Sequence, residues 1–272
     1  MHFPSPGVSR LAGATAGLAL VTITAGAVLT SNFAATPAVA SAQLGRVHQD
    51  AALAVGALTV VLLVWLMPTN TRGWVRALAW GAVGVFAVEA ALSMLQVRTP
   101  LPAIQAIAHA TLAPVLVALL AALACFTVPE WQVNPEQIDT SAWSWLPGAA
   151  TAAPALVLLQ IAMGAGYRHK ELGVMLHMAG AMVVALAMLV IPVILLQQFP
   201  KHPSLRPMAI AAMSIALLQI TLGIGAFIMR LLDFDTSTAF IALAAAHVCI
   251  GALTLSASLV LAIEIGRCGP GE

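Results

Sequence analysis

Four histidines stand out in this chain because each lies in an apolar stretch, where a polar side chain is costly and commonly marks a functional site. They are His48, His109, His177 and His247. An imidazole can bind a metal ion, transfer a proton or make a hydrogen bond to a neighbouring helix. A single histidine in such a stretch is more often a packing residue, but four at regular spacing indicate a shared function.

The stretches that carry these histidines are predicted to be membrane-spanning helices. Hydrophobic residues make up 61% of the 272 residues and charged residues only 8%, whereas a soluble domain carries about 25% charged residues. About 20 apolar residues form a helix long enough to cross a bilayer. The net charge of +1 gives no support for nucleic-acid binding, and no alternating pattern indicates a β-barrel. We therefore predict an all-α integral membrane protein in contact with lipid.

Eight apolar runs predict eight transmembrane helices. They lie near Leu11–Leu29, Val47–Met67, Val75–Leu95, Ala103–Val128, Gly148–Tyr167, Leu172–Phe199, Pro207–Leu232 and Ser237–Ile265. The first run and the small residues Ala40-Ser41-Ala42 imitate a cleavable secretory signal. We expect the first span to be retained, because it is long and its removal would break the repeat described next.

The sequence contains an internal repeat of four helices. Val21–Gly26 aligns with Leu159–Gly164 at an offset of 138 residues, and His109 and His247 have the same offset. Similarly, Val88–Ser93 resembles Leu218–Gly223. We predict two four-helix bundles of parallel topology, formed by residues 1–128 and 148–272 and joined by an inner polar linker at 129–147.

The repeat places one histidine on every even-numbered helix, near the same side of the membrane. Histidines from two facing helices can supply both axial ligands of a heme, and four-helix bundles commonly hold cofactors in this way. The predicted pairs are His48 with His109 and His177 with His247. Zinc or non-heme iron sites usually add carboxylates or thiolates, so we favour heme iron over those metals and over proton-relay or packing roles. We expect His202 to be solvent-exposed.

Other charged groups lie near the same membrane side. Glu89 sits at the depth of the histidines and is interpreted either as a proton donor or as a helix contact like its counterpart Gln219, and Arg46 or Arg98 could pair with it. Glu264 is expected to reach the opposite interface. With both termini cytoplasmic, every outer loop holds a cation, which either snorkels to the interface or contacts negative groups such as heme propionates. These cations are Arg46, Arg98, Arg168, Lys170 and Arg230.

Together these features resemble the heme A synthase family. The resemblance lies in the two four-helix halves, the histidine on each even helix, and the segment containing Gln160, Gly164, Arg168 and His169 ahead of His177. It implies a bacterial inner-membrane enzyme of cytochrome oxidase assembly that oxidises a methyl group of heme O to the formyl group of heme A. Its implied partners are heme O synthase, cytochrome oxidase or another respiratory complex.

The resemblance assigns different tasks to the two halves. It implies that His177 and His247 hold a heme b, while His48 and His109 face the substrate heme O. The family usually has a glutamate three residues before its first histidine, where this chain has Gly45. Glu89 is then the candidate catalytic carboxylate. The alternatives are a non-catalytic heme b cytochrome or oxidase assembly subunit, and a transporter with histidine proton relays.

Overall fold

The computed structural model describes residues 4–31, 38–69, 71–98, 103–128, 131 and 134–269, apart from the side chains at 38–40 and 96–98. Eight long α-helices dominate the described part of the chain. They are α1 (Pro6–Ser31), α2 (Ala38–Leu66), α3 (Gly73–Arg98), α4 (Ala103–Phe126), α5 (Leu146–Arg168), α6 (Val174–Gln198), α7 (Leu205–Leu231) and α8 (Thr238–Cys268). Each is long and apolar enough to cross a membrane, which confirms the predicted all-α membrane fold.

Most helix boundaries fall within a few residues of the predicted ones, but α2 begins at Ala38, well before the predicted Val47. The hydropathy pattern could not show these first turns because they contain polar residues. A helix of 29 residues exceeds the roughly 20 needed to cross the hydrocarbon core. As a result His48 lies about three turns inside α2 rather than at its beginning.

The helices pack around each other in two rings of four. In the first ring α1 packs on α2, α2 on α3, α3 on α4 and α4 on α1, and α5–α8 repeat this order. The two rings meet where α4 packs on α8, α1 on α8 and α4 on α5. Within each ring the even-numbered helices are therefore diagonal partners that face each other across the bundle interior.

Two apolar clusters fill the rings away from the histidines. The first centres on α4 side chains such as Leu116, Leu120 and Phe126 and draws nearly all its members from α1–α4. The second is built mostly from α5–α8, with Leu195 and Leu205 fully buried in it. Both clusters lie toward the end of the bundle at which the even-numbered helices finish. We call that end the lower end and the opposite one, where those helices begin, the upper end.

Candidate functional site

The four histidines form two pairs near the upper end, one pair in each ring. The ring centroids of His48 and His109 are 6.4 Å apart, with an interplanar angle of 82°. Those of His177 and His247 are 6.3 Å apart, at 86°. The two halves of the chain thus build the same arrangement, in which nearly perpendicular imidazoles from diagonal helices face each other across the bundle.

Glycines on the preceding helices let the imidazoles approach closely. A Cβ built on Gly26 of α1 would lie 2.9 Å from Cε1 of His48, and one on Gly164 of α5 would lie 2.8 Å from Cε1 of His177. Gly223 of α7 stands in the same relation to His247, at 2.8 Å. Any larger residue would push the ring away, so these glycines set the position of three of the four rings.

Residues one turn before these glycines orient two of the rings through Nδ1. The backbone carbonyl of Thr22 lies 2.9 Å from Nδ1 of His48, and that of Gln219 lies 3.2 Å from Nδ1 of His247. A carbonyl oxygen can only accept, so Nδ1 carries the hydrogen in both rings and Nε2 carries the lone pair. Metal-binding histidines commonly have such a tautomer, because the hydrogen bond from the protonated nitrogen fixes the ring while the other nitrogen binds the metal.

The third ring, His177, meets a side-chain amide. Nε2 of Gln160 lies 2.9 Å from Nδ1 of His177 and donates to the His177 carbonyl oxygen at 2.8 Å. Oε1 of Gln160 is buried without a hydrogen-bond partner. Turning the amide over would place its oxygen against the His177 carbonyl oxygen, and both atoms can only accept. In the observed orientation the amide nitrogen donates to Nδ1 of His177, so the acceptor nitrogen of this ring is Nδ1.

The fourth ring, His109, contacts a carboxylate. Oε2 of Glu89 on α3 is in direct contact with Nδ1 of His109, and Glu89 is only 7% exposed. The sequence left open whether Glu89 pairs with a cation or makes a helix contact, and the structure gives it a histidine partner from the next helix. The first pair thus has an acidic neighbour, whereas the residue equivalent to Glu89 in the second half is the neutral Gln219, whose side-chain nitrogen lies 3.3 Å from Nε2 of His247.

The predicted cations occupy different surroundings at the upper end. Arg46 and Lys170 are exposed, the guanidinium of Arg230 lies 5.1 Å from the centre of the Tyr167 ring, and the Arg98 side chain lies outside the described residues. Arg168 reaches into the other half of the protein, where it donates to the Ala27 carbonyl and the Ser31 hydroxyl at the end of α1.

The donor set restricts the kind of metal group that the pairs can hold. Among the described residues, no three His, Cys, Asp or Glu side chains come together as a metal site. Two imidazoles without further protein ligands suit an iron whose remaining positions are filled by a porphyrin. The His109 side chain is 28% exposed.

A buried polar cluster at the lower end was not predicted. His202 and Glu264, expected at the surface, are 6% and 1% exposed, so both expectations were wrong.

Glu264 accepts hydrogen bonds from Ser204 at 2.6 Å and from Arg267 at 2.8 Å, and Arg267 also donates to the Trp131 carbonyl at 2.8 Å. The linker covers these groups, which line a cavity of about 560 Å³. The spacing of Glu264 and Arg267, three residues apart on one helix face, was the available signal.

Comparison of the sequence with protein-family models gives no match, and comparison with curated proteins gives no significant match.

Proposed function

We propose that this membrane protein binds two hemes, one in each four-helix ring, with the facing histidines as axial ligands. The observation that carries the proposal is the matched spacing of the two imidazole pairs, at 6.4 and 6.3 Å. A bond from a metal to an imidazole nitrogen is about 2 Å long, so imidazoles on opposite sides of one iron have centres roughly 6 Å apart. Two independent pairs have this separation.

The surroundings of the pairs support the same proposal. Hydrogen bonds from Nδ1 to the carbonyls of Thr22 and Gln219 place the lone pair on Nε2 of His48 and His247, the atom that would bind iron. At His247 the Gln219 amide, 3.3 Å from Nε2, would have to turn away to admit the iron. The diagonal placement of the ligand helices leaves the bundle interior for the porphyrin ring. Arg46, Lys170 and Arg230 lie at the upper end, where their positive charges can neutralise propionates.

We further propose that the chain is an enzyme of the heme A synthase type. In this assignment His177 and His247 hold a heme b, and His48 and His109 bind heme O as the substrate. When bound, heme b would supply redox-active iron, and heme O would supply the methyl group. Converting that methyl to a formyl group removes four electrons and adds one oxygen atom, so the reaction requires water or dioxygen as the oxygen source and an external electron acceptor. The protein would then lie in the bacterial inner membrane with cytoplasmic termini, receive heme O from heme O synthase and deliver heme A to cytochrome oxidase.

The acidic neighbour of the first pair supports chemistry in the N-terminal half. His48 and His109 hold and orient the substrate, and the Thr22 carbonyl fixes the His48 ring. Glu89 is buried and lies against Nδ1 of His109, from which its carboxylate can accept a hydrogen bond. In the second pair the residue equivalent to Glu89 is the neutral Gln219, which suits a site that keeps its heme and does not exchange protons.

A second candidate function is a non-catalytic heme b cytochrome or an oxidase assembly subunit. It is favoured by Gly45, which occupies the place of the family's glutamate and whose added Cβ would meet no atom within 4 Å. It is also favoured by the complete histidine pairs, since iron with two histidine ligands has no open position for oxygen. Such a protein would carry electrons without changing its hemes.

Expression with a source of heme O, followed by mass spectrometry of the extracted hemes, distinguishes the two functions. Hydroxylated or formyl heme supports the enzyme, while recovery of heme b with unmodified heme O supports the cytochrome. Absence of stoichiometric heme from the purified protein contradicts both and favours a transporter with histidine proton relays.

A spectroscopic experiment tests the C-terminal assignment separately. His177→Ala should remove one of two heme contributions from the reduced-minus-oxidised spectrum. His169→Ala is the matched control, because His169 lies in the turn after α5 and belongs to neither pair. If His177→Ala leaves the spectrum unchanged, the C-terminal site is assigned to the wrong residues.

A further inference from the structure

The two histidine pairs differ in the charge of one repeated position. The repeat aligns Glu89 on α3 with Gln219 on α7, and each residue contacts the histidine of the following helix, His109 or His247. The helices, the depth and the partner are equivalent in the two halves. A buried negative group in the first half is therefore replaced by a neutral amide in the second.

This difference acts on the ligand nitrogen through the imidazole ring. A carboxylate at Nδ1 draws the proton of the ring toward itself and raises the basicity of Nε2. A more basic ligand and a nearby negative charge both stabilise ferric over ferrous iron, and hydrogen bonding around ligands is one of the means by which a protein sets heme potential. The effect is enhanced because Glu89 is buried, and charges interact more strongly away from water.

The neighbours of His247 have no comparable effect. Its Nδ1 faces the backbone carbonyl of Gln219 at 3.2 Å, and its Nε2 lies 3.3 Å from the side-chain nitrogen of the same residue. Both groups are uncharged. His48 also meets a backbone carbonyl, and His177 meets the neutral amide of Gln160. Among these contacts the carboxylate of Glu89 is therefore the group that carries a charge.

We propose that Glu89 is a positioning residue that makes the reduction potential of the N-terminal heme lower than that of the C-terminal heme. This inference rests on the proposed binding of one heme in each half. Glu89 acts through His109, which it holds in one orientation and makes a stronger electron donor. A single side chain, Glu89, then determines which of the two hemes has the lower reduction potential.

The experiment exchanges the two side chains in the full-length protein loaded with both hemes. Redox titration followed by visible spectroscopy gives the potential of each heme, and the single-site variants His177→Ala and His48→Ala identify which heme is which. Glu89→Gln should raise the N-terminal potential, with the ferric-to-ferrous preference changing about tenfold, and leave the C-terminal potential in place. Gln219→Glu places a negative charge beside the His247 ring, on its Nε2 side, and should lower the C-terminal potential through that charge.

The outcomes separate this inference from the proposed function. Wild-type protein that holds no heme overturns both. Two bound hemes whose potentials do not respond to Glu89→Gln overturn the role of Glu89 alone. If the Glu89→Gln variant loses its N-terminal heme, the Gln219→Glu variant provides the test instead. An unchanged C-terminal potential in the Gln219→Glu variant then overturns the inference.

Discussion

Gly164 of α5 lies directly against the imidazole of His177 on α6, so that a Cβ at residue 164 would stand only 2.8 Å from Cε1 of the ring. The two residues belong to consecutive helices joined by a short turn, and the backbone of one helix forms the wall on which the ring of the next one rests. Gly26 and His48 repeat this relation in the other half. Glycines therefore limit the positions of both rings in the second pair and of His48 in the first.

A methyl group at residue 164 should displace the His177 ring and disrupt the C-terminal heme site. We expect Gly164→Ala to weaken heme binding there by about tenfold or more, as for other residues that support metal ligands. The measurement is the heme content and the reduced-minus-oxidised spectrum per mole of protein. Gly148→Ala is the control, because an added Cβ at residue 148 of the same helix meets nothing within 4 Å. Equal heme content in the two variants would contradict the role of Gly164.

Arg168 should stabilise the contact between the two halves. Its guanidinium donates to the Ala27 carbonyl and the Ser31 hydroxyl on α1, and hydrogen bonds from a charged donor contribute about 1.5–3 kcal/mol. We expect Arg168→Ala to lower the free energy of unfolding by about 2 kcal/mol, measured by thermal unfolding in detergent. Arg46→Ala, at an exposed position, should change it by less than about 0.5 kcal/mol. If the two variants unfold alike, the contact with α1 contributes nothing measurable.

The sequence predicted the helices and the histidine pairs because both depend on local pattern. Runs of about 20 apolar residues have few alternatives to a membrane helix, and the repeat relates one half to the other. The contacts of Arg168 and Glu89 could not be predicted in the same way. Arg168 binds residues 137 and 141 positions away in the chain, and no periodicity specifies such a partner.

The lower end shows a second reason why sequence reasoning failed. Glu264 was placed at the interface because its position near the end of an apolar run favours exposure. The structure buries it because the linker returns over α8, where the Ile138 amide donates to the Cys268 carbonyl at 2.8 Å. Burial at that point depends on the path of a polar segment, which hydropathy does not encode.

The turn after α5 should make stability depend on pH. The pKa of His169 lies below its ordinary value of 6.5 because of partial burial, and then because of the positive charges of Arg168 and His109. The unfolded chain therefore takes up a proton at a higher pH than the folded protein does, so this residue lowers stability as the pH falls below 6.5.

Comparison with His169→Gln tests this dependence. The two proteins should respond equally to a change from about pH 8 to about pH 7, where His169 is largely neutral in both states. On going to about pH 5, the wild type should lose more thermal stability than the variant. An identical change in melting temperature across the whole range would show that His169 does not contribute.

Loss of the Glu264 carboxylate should be the most damaging change at the lower end. Glu264 and Arg267 form an ion pair at 2.8 Å, with side chains that are 1% and 8% exposed, and Ser204 donates to the same carboxylate. Removing one partner of a buried pair leaves the other charge without compensation and costs about 3–5 kcal/mol. We expect Glu264→Ala to lose that much stability in denaturant titrations in detergent, while Glu136→Ala, at an exposed position of the linker, should stay within about 0.5 kcal/mol of the wild type. Because the histidine pairs lie at the opposite end, folded Glu264→Ala protein should keep the heme spectrum of the wild type. A loss of unfolding free energy below about 1 kcal/mol would show that the cluster does not hold the linker on α8.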